Sequence, residues 1–104
     1  MRIILVAAIL SVIAAAADAQ AGDVQRGREL AQASCGGCHA VGPAGPSAMA
    51  AAPPFRELHR RYPVEQLAEA LAEGISTGHE AMPEFQLAPA QIEALIAYLK
   101  TLER

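Results

Sequence analysis

The chain has no tryptophan and only four phenylalanine and tyrosine residues, Phe55, Tyr62, Phe85 and Tyr98, in 104 positions. A domain this small has few large rings with which to fill a core, so its apolar packing alone is marginal. Nothing in the residue pattern reads as a substantial strand, which excludes sheet-based classes and the βαβ setting of a thioredoxin-like redox motif. No internal repeat is visible. The formal charge is −3 and stays so when the first 21 residues are left out, because Arg2 and Asp18 leave together. That balance excludes binding of nucleic acid or an anionic membrane by bulk charge. Cysteine occurs only at positions 35 and 38, so a zinc site would have to be completed by His39, His59 and His79, whose spacing matches no zinc pattern.

What is present at those two cysteines is the segment Cys35-Gly36-Gly37-Cys38-His39. This spacing reads as covalent attachment of one c-type haem. Two thiols separated by two residues reach the two vinyl groups on one edge of a porphyrin. The following histidine becomes the proximal axial ligand of the iron. Glycines between the thiols let the backbone bend closely around the macrocycle. A redox disulfide and a zinc half-site are the alternatives for a bare Cys-x-x-Cys, and His39 weighs against both. A buried haem also supplies the flat apolar mass that the scarce aromatics do not.

Residues 1–21 read as a secretory signal: Met1-Arg2, an apolar run of 15 residues from Ile3 to Ala17, and small-x-small cleavage points after Ala19 or Ala21. The run is shorter than the ~20 residues a spanning helix needs, which makes an uncleaved anchor the weaker alternative. Cleavage leaves one domain, 22–104. Export fits the chemistry, because c-type haem is attached after translocation in bacteria, and the expected compartment is the periplasm.

Three stretches carry helical signals. The first spans about Val24 to Ser34, with Asp23 as its N-cap and Val24, Gly27, Leu30, Ala31 and Ser34 on one stripe. The second begins near Pro63, carries Val64, Leu67, Ala68 and Leu71, and stops at Gly74. The third starts at Pro89 with Ile92, Leu95, Ile96, Leu99 and Leu102 on one face; Ala88 is a poor N-cap, at a cost of about 1 kcal/mol unless Gln91 compensates. Between them lie two irregular segments, 41–54 and 74–87, long for so small a domain and naturally read as straps around a ligand.

The opposite face of the iron has Met82, His79 and His59 to choose from, with Met49 less favoured because it lies close behind His39. A methionine alone is more often a core gap-filler. Met82 sits on a loop bounded by Gly78 and Pro83 and followed by an amphipathic helix, which makes it the expected distal ligand; His79 and His59 read as surface histidines. Thioether sulfur favours ferrous iron and raises the reduction potential relative to two histidines. The expected activity is reversible one-electron transfer.

With these pieces in order, the chain resembles a small bacterial class I c-type cytochrome with a single haem. The resemblance rests on Gly22-Asp23-Val24 through Gly27, on Cys35 to His39, on Met82-Pro83-Glu84-Phe85, and on Leu95-Ile96-Ala97-Tyr98-Leu99. It implies an all-α cytochrome c fold, three main helices with loops wrapped around one covalent haem. It further implies that the first and last helices cross at Gly27, in contact with Leu95 and Tyr98, and that a proline carbonyl accepts a hydrogen bond from His39. Pro53 is the residue in this chain for that role, with Pro54 close behind. The family often has an aromatic one turn after the glycine; Ala31 stands there, so a less well packed crossing is expected.

Arg56, Arg60 and Arg61 cluster before the second helix, suited to holding a haem propionate, steering a partner or simply conferring solubility. Glu65, Glu69 and Glu73 form an acidic row that reads as a solvated helix face. The function expected is a periplasmic electron carrier without substrate turnover, monomeric and exchanging electrons with dehydrogenase, oxidase or reductase partners. The alternative is a dedicated cytochrome subunit of a periplasmic dehydrogenase complex. A small peroxidase or gas sensor would need an evident distal acid and base, and none beyond His79 and Glu80 presents itself.

Overall fold

The computed structural model describes residues 2–75 and 81–104, and all regular structure among them is helical. Helix α1 spans Arg2–Ser34, α2 spans Leu67–Glu73 and α3 spans Pro89–Thr101, with short 3-10 segments at Phe55–Arg60 and Val64–Gln66. His79 and Glu80 lie outside the described residues.

The first helix does not begin at Asp23. It runs unbroken from Arg2, because the alanine-rich stretch ahead of Asp23 holds no proline and has high helix propensity. Asp23 therefore sits inside the helix, and its carboxylate pairs with Arg26 instead of capping free N–H groups.

The second helix opens as expected after Pro63, although its first turn, Val64–Gln66, is wound as a 3-10 helix before α2 proper. Tight first turns are common at helix termini. Gly74 ends α2 with φ 100° and ψ 107°, in the region that disfavours a side chain. At α3 the expected compensation for Ala88 is present: Gln91 Oε1 accepts from the Ala88 N–H at 2.9 Å. Alanine offers no acceptor in return, so only this half of a capping box forms.

The core is built where α1, the Phe55–Arg60 segment, α2 and α3 meet, around Ala31, Leu58, Val64, Leu71, Leu95 and Leu99. No charged or polar residue is buried among the described residues. The crossing of α1 and α3 is centred on Gly27, which meets Ala94 and Tyr98. Ala31, one turn further, has no exposed surface at all. The small side chain is fully covered at this position.

Two irregular segments are fastened by hydrogen bonds from both backbone and side chains. In the first, Phe55 N–H donates to Ala40 O at 2.9 Å, and Met49 N–H to Cys38 O at 3.1 Å. Ala40 N–H donates to Ser47 Oγ at 2.9 Å, and Arg56 Nη1 to Gly45 O at 2.7 Å. Tyr98 Oη reaches across from α3 to Val41 O at 2.5 Å. In the second, Ile75 N–H donates to Phe85 O at 3.0 Å, Leu87 N–H to Leu71 O at 2.9 Å and Gln86 Nε2 to Ala72 O at 3.2 Å. The strap that carries Met82 thus satisfies two carbonyls in the last turn of α2, those of Leu71 and Ala72.

Candidate haem site

Helix α1 delivers Cys35 at its end. Cys35 N–H still donates to Ala31 O at 2.9 Å, after which Cys38 N–H and His39 N–H both turn back to Cys35 O, at 3.2 and 2.9 Å. The turn brings Cys35, Cys38 and His39 to the wall of one cavity. A Cβ at Gly36 would lie 2.6 Å from Gln32 O, so this position needs glycine. Gly37 also lines the cavity, and a Cβ there would meet no other part of the chain.

The imidazole of His39 is held from two sides. Its Nδ1 donates to Pro53 O at 2.8 Å, leaving Nε2 as the nitrogen with a free lone pair. Its ring packs against Phe55 at a centroid distance of 5.0 Å and an interplanar angle of 42°. Phe55 in turn is held by its bond to Ala40 O, so the ring that supports the imidazole is tied to the residue after it.

The cavity measures about 650 Å³, within the ~300–1,000 Å³ of cofactor and ligand sites. Leu30, Leu58, Leu67, Leu71, Leu95 and Leu99 supply much of its apolar wall. Met82, Pro83 and Phe85 contribute from the second strap and Met49 and Pro53 from the first. Three of the four aromatic residues, Phe55, Tyr62 and Phe85, line it, whereas Tyr98 serves the α1 and α3 crossing. Burial pushes the Cys35 thiol above its ordinary value, which keeps it in the neutral form when nothing is attached.

These residues fit one covalent haem c: paired thiols, a histidine with one nitrogen secured and the other free, and an apolar chamber for the macrocycle. Met82 shares the cavity and is half-buried; Met49 shares it as well, at 37% exposure. His59 does not line it. Nor is His59 a plain surface residue, since its Nδ1 is buried without a hydrogen-bond partner among the described residues.

Sequence reasoning passed over the contact of Phe55 with His39 and the bond from Tyr98 to Val41. The only signal for either was the rarity of aromatic residues. Among the described residues no group of three or more His, Cys, Asp or Glu side chains is gathered as a metal site. No described helix is long and apolar enough to cross a membrane.

No curated protein and no solved structure matches the chain. The family model described as cytochrome c oxidase, cbb3-type, subunit III matches residues 22–99, three quarters of the sequence and all of the haem-site elements from α1 to α3. The chain belongs to that family, as a small all-α module that binds one haem c for electron transfer.

Proposed function

We propose that this chain is a one-electron relay whose haem iron is ligated by His39 and Met82, working as a dedicated cytochrome subunit of a larger respiratory complex. The observation that carries this reading is an apolar cavity lined by Cys35, Cys38, His39 and Met82, in which His39 Nδ1 is already committed to Pro53 O. Cys35 and Cys38 hold the haem by thioether bonds. Haem c bound there supplies a reversible ferric–ferrous couple. Pro53 fixes the imidazole in the tautomer that leaves Nε2 to the iron and raises its basicity. Met82 donates a soft thioether that favours the reduced state and sets a higher potential than a second histidine. The leucines and aromatics keep water from the site, so few dipoles must reorganise when the charge changes.

The family description names a subunit of an oxidase, and this weighs toward a complex over a freely diffusing carrier and toward an oxidase over a dehydrogenase as its partner. We read residues 1–21 as a leader that directs the domain to the periplasm. Its removal after Ala19 or Ala21 would return Asp23 to the start of its helix, where a carboxylate caps free N–H groups.

The test is to mature the protein in a periplasm and record oxidised and reduced spectra into the near infrared, alongside native mass in an extract of the source cells. A Met-to-ferric-haem band and sharp reduced α and β peaks support His/Met ligation. A normal Soret band without the near-infrared band overturns it. Co-purification with larger redox subunits supports the complex, and a native mass equal to the single chain returns the free carrier.

A further inference from the structure

The second strap is fastened just beyond Met82. Ile75 N–H donates to Phe85 O at 3.0 Å and Leu87 N–H to Leu71 O at 2.9 Å, so the two ends of the segment that carries Met82 meet at the end of α2. Among the described residues, Gln86 is the only side chain of this strap with a hydrogen bond, from Nε2 to Ala72 O at 3.2 Å. Glu84 adds a fit of shape: a Cβ on Gly74 would lie 2.6 Å from Glu84 Oε1, so the carboxylate occupies the space that the glycine leaves. Between Glu84 and Met82 stands only Pro83, whose ring fixes its φ. A shift of the strap at Glu84 or Gln86 is therefore passed to Met82 with little slack.

We propose that Gln86 is a positioning residue for the distal ligand: with Glu84 seated on Gly74, its bond to Ala72 O holds the strap so that the Met82 thioether stays on ferric iron. This rests on the reading that Met82 ligates a haem in the cavity. Thioether sulfur is soft and binds ferrous iron more firmly than ferric. The oxidised state is thus the one in which the strap must hold the ligand in place. A thioether already set in its bound position loses little freedom on ligation, which offsets the weaker bond. Neither Glu84 nor Gln86 lines the cavity, so their effect reaches the iron only through Met82.

The experiment mixes the haem-loaded ferric protein with imidazole and follows loss of the near-infrared Met-to-haem band, raising imidazole until the rate no longer increases. That limiting rate is the rate at which Met82 leaves the iron. Wild type is compared with Gln86→Glu, nearly the same shape but with no proton to donate at neutral pH, and with Tyr98→Phe, which removes a tie elsewhere in the fold. The expected result is a limiting rate about two- to fivefold higher in Gln86→Glu, the lower part of what one lost hydrogen bond is worth because this one is exposed. Its reduced spectrum should match wild type, and Tyr98→Phe should keep the wild-type rate. Gln86→Glu at the wild-type rate overturns the assignment, as does an equal acceleration in Tyr98→Phe, which would signify general loosening. A wild-type protein with a Soret band but no near-infrared band overturns the Met82 reading itself, and this separates the two failures.

Discussion

A methyl group placed on Gly27 would lie 1.9 Å from the carbonyl oxygen of Ala94 and 2.8 Å from Cβ of Tyr98, so the first and last helices cross with their backbones in direct contact. The conflict is with backbone, which cannot swing aside as a flexible side chain would. Gly27→Ala gains about 1 kcal/mol of helix propensity yet forces the helices apart, at a cost of about 1–3 kcal/mol or more. Guanidinium denaturation of the haem-loaded protein should show a net loss; equal or greater stability would mean that the crossing is looser than described.

Tyr98 contributes a second tie, from its hydroxyl to Val41 O just beyond the haem motif. Tyr98→Phe keeps the ring and removes only that bond. The expected loss is about 0.5–1.5 kcal/mol, the net worth of one partly buried hydrogen bond. An unchanged denaturation midpoint would show that water replaces the hydroxyl without penalty.

Met82→Ala should leave the haem covalently attached, since Cys35 and Cys38 are untouched. The potential should fall and the reduced protein should bind carbon monoxide rapidly at neutral pH. A spectrum and potential identical to wild type would remove Met82 from the coordination sphere and turn attention to Met49, the other methionine in the cavity wall.

Cys38→Ala removes one of the two anchoring thiols and should lower the yield of attached haem. Protein that does mature carries a single thioether, visible as a red-shifted α band in alkaline pyridine. Full yield with an unshifted band would contradict the role assigned to Cys38.

The ion pair of Lys100 with Glu65 ties α3 to the turn that opens α2. The hydrogen bond from Lys100 holds the Glu65 carboxyl below its ordinary value, and the same bond holds the Lys100 ammonium above its own. The stabilisation is therefore present above the ordinary carboxyl value and is lost as pH falls through the lowered one. At the alkaline end it is present below the ordinary ammonium value and is lost as pH rises through the raised one. Both groups are exposed, so the effect is small and screened by salt. Lys100→Gln should be slightly less stable than wild type at pH 7 and low salt, with the difference closing in acid and in 1 M salt; a difference indifferent to both would belong to packing.

Much of the architecture was legible because local rules operate at single residues. Pro63 and Pro89 start helices, Gly74 ends one, and the period of apolar residues on α3 marks its buried face. In the full chain Asp23 lies inside α1, because an alanine-rich run ahead of it extends the helix through this otherwise good cap. The Phe55–Arg60 turn carries no period of its own, and only packing around Phe55 and Leu58 creates it.

By itself, then, the sequence determined the attachment chemistry, because two thiols and a histidine at fixed spacing must lie close together in any fold. It determined the helical class too, because helix signals act over a few residues. Tertiary structure decided what depends on residues far apart in the chain. It brought the Pro53 carbonyl to His39, set Phe55 against the imidazole and closed α3 onto Gly27. From three neighbouring arginines it placed only Arg61 at the cavity. Side chains adjacent in sequence point in different directions once the backbone turns, and no pattern of types reveals which of them will face the chamber.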